Sequence, residues 1–508
     1  MPFCYNLFQQ APAGFNQRLK MTDFIVQDSR RQLWIVISVA FAAFMAALDT
    51  YIVNVALPTI ASDFNASPTD AALITLSYLL VITSTLLIFG KIGERTGFKV
   101  VFVAGFALFA VGSFLSGLAP TLYLLSGARC IQGFGAAMLY AVGMAMIIRY
   151  IPPGKRGWAF GITSTGAGMG VIIGAPMGGF ITQYLDWHWI FWFNVPVGIA
   201  AVIVALKVMP DDRVRRKKGV RLPPFDIAGA LMSFFALALL VGAINRGQQF
   251  GWDHWGIWGS FTLAAILFIA FVLWEKRCRD PLLDMSLFRF ASFGFGSFAA
   301  LAAWSMYSGG NFLFPFYLTM IHGLSSSMIG SIFLISSVVY IATSLYMGRL
   351  SDRIGRRVLC CAGMVSAAAG LVFLAFTMGL PSLIPMMVYL AWVGVSMGTF
   401  VSPNNSLMLG SIPADNQGEA SAASRAMQNL GMVLGVAIFE TVFSAFIPSA
   451  DLGSEQAVAG VPTNVLVMGF SAACLVGAAM CVASLILSWL AREDSAPSTG
   501  ESPGAIAI

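Results

Sequence analysis

Two acids stand inside stretches that otherwise read as lipid-soluble: Asp49 in Ala46 to Ile60, AALDTYIVNVALPTI, and Glu440 in AIFETVF. A carboxylate at such depth costs ~2.5–3.5 kcal/mol on insertion scales, so it is kept for a pathway, a relay or a partner, or else held in a structural hydrogen bond between helices. Arg129 lies about eight residues in from the outer end of the fourth apolar run, and Asp49 about eight from the outer end of the first. Equal depth permits an ion pair. A nearby guanidinium keeps a buried acid ionised, its departure lets the acid take a proton, and its return expels that proton. The pair is therefore either a coupling device or a permanent structural bridge. Glu440 has no base at its depth in its own helix; it reads as a second proton carrier, a counter-charge for a cation, or an acid facing outer-leaflet water. Arg425, in the first turn of the thirteenth run, is expected to snorkel to the cytosol.

The elements that must hold these groups are membrane helices. With 508 residues, 58% hydrophobic and 10% charged, and a mean hydropathy of +0.81, the chain lies far from soluble composition, where charge is about 25%. The net charge of +6 reports topology, and no nucleic-acid partner is expected. Seven cysteines show no disulfide or metal spacing, and we read no removable signal in the first thirty residues. No cofactor and no metal are expected.

Fourteen apolar runs of about 20 residues follow one another. Of the 29 Lys and Arg, 26 fall in alternate loops; only Arg246 lies in the opposite set, and Arg129 and Arg425 lie within runs. The positive-inside rule then puts both termini in the cytoplasm of a cell (inner) membrane protein. The segment Gly90 to Lys99, GKIGERTGFK, recurs as Gly348 to Arg357, GRLSDRIGRR, each after a helix that descends from outside. That repeat divides the chain into a tail (1–32), a six-helix half (33–208), a basic linker with two inserted helices and an interfacial segment (209–292), a second six-helix half (293–490) and a tail (491–508). Parallel halves of this kind place a substrate site near the midplane between them.

In the repeated segment Gly90, Glu94, Arg95, Gly97 and Lys99 correspond to Gly348, Asp352, Arg353, Gly355 and Arg357, and Arg356 stands opposite Phe98. An acid beside bases at a helix end can pair with a facing Arg and hold the cytoplasmic side shut. Gly170, Gly174, Pro176, Gly178 and Gly179 let helices approach closely and bend one of them, as packing or as a hinge. Trp304, Tyr307, Asn311 and Phe314 form a helical stripe that residue by residue reads as core packing; together with Asn54 and Gln132 it could instead line an aromatic, weakly polar cavity for flat lipophilic compounds.

The repeated segment resembles the signature loop of the major facilitator superfamily. ALDTYIVNVALPTI resembles the first-helix signature of its fourteen-helix drug:proton antiporter branch; LSGARCIQGFGAA matches the fourth-helix motif at Arg129, Gln132, Gly133, Gly135 and Ala136; GVIIGAPMGG resembles the antiporter motif. WHWIFWFNVPVG and PLLDMSLFR resemble two further segments of that branch. Departures are Glu94 for the usual Asp, Phe98 where a base is common, Ala175 before Pro176, and His188 where Arg is typical. The resemblance implies an all-α major facilitator fold, proton coupling through Asp49 and Arg129, and a hinge or leak seal at the glycine motif.

The expectation is a proton-coupled antiporter that exports lipophilic cationic or neutral drugs by alternating access. An exporter of one endogenous metabolite or siderophore is the alternative. Its partners are the small-molecule substrate, protons and the lipid bilayer, with a periplasmic adaptor protein left open. A membrane-embedded enzyme would cluster acids or histidines at one face, whereas His188, His254 and His322 are scattered through outer loops. A passive channel would have no need of an intramembrane acid.

Overall fold

The computed structural model describes residues 25–212, 226–278, 281–413, 416–447 and 461–491, except the side chains of Gln248, Gln249 and Asp352. Both expected tails beyond those limits, and the basic run at 213–221, lie outside the described residues.

Helix starts follow from local chemistry. Asp28 caps α1 (Ser29–Asp63) by accepting from the Arg30 amide at 2.9 Å; Ser67 caps α2 (Pro68–Thr96), with Pro68 at the first position, where a missing N–H is harmless. The tight turn into α3 (Phe98–Ser116) is made by Gly97 alone, at φ 104° and ψ 137°, a region that only glycine enters without strain. Gly97 has no side chain to cap α3. Asp212 does it from a distance of over a hundred residues, its buried carboxylate accepting from the amides of Phe98 (2.9 Å) and Lys99 (3.3 Å). Thr121 caps α4 (Leu122–Tyr150), which is followed by α5 (Arg156–Tyr184), the short α6 (His188–Trp192) and α7 (Asn194–Val208).

Two helices follow, α8 (Ile227–Phe250) and α9 (Trp255–Glu275), and then α10 (Ala291–Met320), α11 (Ser326–Ile354), α12 (Arg356–Thr377), α13 (Ile384–Gly410), α14 (Gln417–Ser444) and α15 (Thr463–Leu490). Gly355, between α11 and α12, repeats the backbone of Gly97 with φ 103° and ψ 135°. The internal repeat thus extends from residue type to dihedral angle. One reading is corrected: the repeated segment is not a loop that starts at Gly90 and Gly348. The helices run on to Thr96 and Ile354, because nothing before Gly97 or Gly355 breaks the i to i−4 ladder.

With α6 and α7 together forming one crossing, thirteen spans are long and apolar enough to cross a bilayer. The fourteenth, α10, has 30 residues, enough for about 45 Å at 1.5 Å each, but carries Ser, Gly and Asn along its length. It can do so because it is buried nearly throughout, packed against α14, α15, α13 and α1. The all-helical fold with fourteen crossings agrees with the sequence reading.

Helices α1–α7 pack chiefly among themselves, as do α10–α15. The two bundles meet through α5 against α11 and α2 against α14, and the pair α8–α9 leans on α2 and α14. These contacts gather at the end of the molecule away from the described termini. There Thr59 and Ser326 hydroxyls lie 2.9 Å apart, and Gly179 and Gly330 let backbone meet backbone between α5 and α11. Toward the terminal end the bundles part: Gly154, Gly157 and Gly161 face open space, and Met144 of α4 is 42% exposed. The cleft between the bundles opens toward that end.

Candidate functional site

Asp49, midway along α1, is fully buried, and the Arg129 Nη1 of α4 donates to its Oδ2 at 2.5 Å. Equal depth in the sequence therefore became contact in space. The second oxygen, Oδ1, accepts from Gln132 Nε2 at 2.8 Å and from Asn194 Nδ2 at 3.2 Å. Gln132 also accepts from Arg129 (2.6 Å) and donates to Ser113 of α3 (2.8 Å), so α1, α3, α4 and α7 meet at one carboxylate. The guanidinium is 1% exposed and lies 3.9 Å from the centre of the Tyr78 ring, with Phe191 beyond. The charge is thus held between an aromatic face and a carboxylate, with Nη1 making both hydrogen bonds and the buried Nε finding no partner among the described residues.

Glycines of α5 bring α1 into place. Cβ atoms at Gly170, Gly174 and Gly178 would strike Phe44, Leu48, Tyr51 and Ile52 of α1, and one at Gly179 would strike Ser326 of α11. Pro176 sits inside α5, its Cα facing Gly330. The motif is thus a seam for two helices, one from each bundle.

Glu440 is also fully buried. Its Oε1 accepts from the Thr69 hydroxyl of α2 at 2.5 Å and its Oε2 from Asn245 Nδ2 of α8 at 3.3 Å. Next to it, Arg246 pairs with Asp70 at 3.3 Å. The outer-leaflet water that the sequence left open for Glu440 does not reach it; three helices cover it.

The repeated segments lie at the terminal end. Lys99 Nζ donates to the Met209 carbonyl at 3.0 Å, Arg356 to the Ser406 carbonyl at 3.4 Å, and the Arg357 guanidinium lies 4.3 Å from the Trp489 ring centre. Gly90 faces open space and Gly348 faces Ser402; Glu94, Arg95 and Arg353 end their helices beside them, and the Asp352 side chain is outside the described residues.

The expected cavity residues are divided. Asn54 is held by Thr75 (3.3 Å) and Gln132 by the ion pair, both inside the first bundle. Tyr307, Asn311 and Phe314 border a cavity of about 10 Å³ with Phe333, Ser336 and Tyr389, room for about one water, and Trp304 meets Tyr307 edge-on. Arg425 is corrected: α14 begins at Gln417, so Arg425 is two turns inside it, exposed, its guanidinium 5.8 Å from the Tyr140 ring of the other bundle.

Sequence reasoning passed over Asn194, Ser113, Tyr78 and Asp212. Asn194 alone left a signal, a polar residue beside Pro196 in an aromatic span.

Two helical bundles joined at one end, with a buried ion pair in one of them, define a membrane transporter rather than an enzyme. The chain belongs to the Major Facilitator Superfamily, whose family model matches residues 39–436 and 293–506. It is 31% identical over 415 residues to the riboflavin transporter RibZ of Clostridioides difficile, covering 82% of this chain and 89% of that one. It is 29% identical to the puromycin resistance protein pur8 of Streptomyces alboniger, covering 92% and 94%. In fold it matches a bacterial homologue of the human lysosomal transporter Spinster in an inward-facing, unoccupied conformation, with a TM-score of 0.64 at 16% identity over 91% of this chain and 97% of that one.

Proposed function

We propose that this transporter is a proton-coupled exporter of flat lipophilic compounds across the cell membrane, with both termini in the cytoplasm. The observation that carries the reading is the Asp49–Arg129 pair, sealed from water and held by neutral amides. Neutral donors on the second oxygen would serve a permanent bridge as well, and what they add for coupling is a place for the acid once it is neutral. When Arg129 swings away, Gln132 and Asn194 can still hold a protonated Asp49, so the acid need not be abandoned in oil.

On this reading the terminal end faces the cytosol and the structure is open to it. Substrate enters the cleft, the bundles rock about the α5–α11 and α2–α14 seams, and proton entry from outside resets the cycle. The glycine seam of α5 serves as the hinge, and the repeated segments gate the cytosolic end. The test is flux in proteoliposomes. Asp49→Asn is expected to abolish efflux driven by an imposed pH gradient while leaving downhill exchange; undiminished gradient-driven efflux removes Asp49 from the scheme.

The likeness to a riboflavin transporter favours a second reading, export of one metabolite, whereas the likeness to a puromycin resistance protein favours drugs. A panel of substrates presented to the same vesicles separates them: a single transported compound establishes the metabolite carrier.

A further inference from the structure

The cleft between the bundles carries a constellation that neither acid belongs to. Tyr51 of α1 and Tyr140 of α4 come from one bundle; Tyr307 of α10, Tyr340 of α11 and Arg425 of α14 come from the other. The rings of Tyr307 and Tyr340 are 6.5 Å apart, and Tyr51 lies on α1, which packs against α10 and α11. Arg425 reaches across the gap to Tyr140, its guanidinium 5.8 Å from the ring centre. Its hydrogen bond to Gln428 Oε1 is long, 3.4 Å, and the side chain is exposed.

A second observation points the same way. One turn along α14, Asn429 is 7% exposed and its Nδ2 finds no acceptor among the described residues. Buried amide donors are normally paired, and an unpaired one calls for an acceptor from elsewhere. Arg425 and Asn429, at i and i+4, share a helix face. Two donors on one face, one of them against the Tyr140 ring of the other bundle, suit an aromatic ring that bears acceptor oxygens.

The charge balance of the cleft is what matters. The expectation of cationic cargo rested on Asp49 and Glu440, and both are fully buried and already hydrogen-bonded. Among the described residues of this constellation, the exposed charge is the Arg425 guanidinium. The geometry points to a substrate site at Tyr51, Tyr140, Tyr307, Tyr340, Arg425 and Asn429 that selects planar aromatic anions, a carboxylate or an acidic ring oxygen against Arg425 and Asn429 and the ring between tyrosines. This assignment rests on the reading of the cleft as the export path.

Three probes share one ring and differ only in charge: 2-naphthoate, 2-naphthamide and 2-naphthamidine. Their binding to the purified full-length protein in detergent, measured by calorimetry, needs no gradient. The carboxylate is expected to bind about tenfold tighter than the amidine, the difference of one charge-assisted hydrogen bond. Arg425→Gln should lower carboxylate affinity about tenfold and that of the neutral amide much less, while Arg425→Lys retains part of the preference. Equal affinity for carboxylate and amidine, an Arg425→Gln protein that keeps the wild-type order, or binding of none of the three overturns the assignment. Binding in the stated order without proton-driven flux in vesicles leaves the assignment standing and overturns the export reading alone.

Discussion

Asp49 is held by one charged and two neutral donors, and this division sets what each substitution should do. Arg129→Gln leaves a buried carboxylate without its counter-ion, a loss of about 3–5 kcal/mol where a buried pair is broken from one side. The melting temperature of the detergent-solubilised protein should therefore fall sharply, and removing the stranded acid as well, in Asp49→Asn with Arg129→Gln, should restore part of it. A melting temperature that Arg129→Gln leaves unchanged would mean that the pair contributes nothing to the resting fold. Depth in two apolar runs was enough to foresee the Asp49–Arg129 contact, because a helix rises by a fixed step and both ends could be located. The same arithmetic could not find Gln132 or Asn194 as ligands of Asp49. Their reach depends on how α4 and α7 are rotated, which composition does not encode. Arg425 was misplaced for a related reason: the polar first two turns of α14 hid the start of the helix.

At the scale of the helix, the spacing of small residues on α5 was legible and its target was not. Gly170, Gly174 and Gly178 recur every four residues and form one face, but only the folded chain shows that the face seats α1 while Gly179 seats α11. Gly174→Val should force the two helices apart at Leu48 and Tyr51, displacing Asp49 from its donors. Overpacking of this sort costs about 1–3 kcal/mol, and the expected result is a folded protein with weak pH-driven transport; normal transport would show that α1 has slack. The turns at Gly97 and Gly355 make a cleaner test of the repeat. Gly97→Ala and Gly355→Ala each place a Cβ in a glycine-only conformation, at about 1–3 kcal/mol, and should reduce the yield of monodisperse protein to similar extents. A large effect at one site alone would break the equivalence of the two halves at this point. Asp212 escaped the sequence reading because a cap supplied from over a hundred residues away leaves no local pattern.

For the molecule as a whole, the ends of the cleft differ in what closes them. Thr59→Cys with Ser326→Cys, in a background stripped of the native cysteines, should cross-link spontaneously under oxidation and arrest transport until a reductant is added. Continued transport by the cross-linked protein would exclude rocking at this seam. Glu440→Gln separates two roles. A counter-charge predicts that transport of cations falls while that of neutral compounds persists; a clamp between α2, α8 and α14 predicts that all substrates are affected alike. The sequence marked the pair only as an insert between two six-helix halves, since nothing in a run of apolar residues announces a partner. Yet α8 grips α2 through Arg246 and Asp70 and touches Glu440 through Asn245. Whatever moves α2 relative to α14 must therefore also carry, stretch or release α8. Cutting the pair out and rejoining the ends would not restore a simpler twelve-span machine; it would take away a strut from the end where the bundles join, and the shortened protein should let solutes and protons slip through uncoupled.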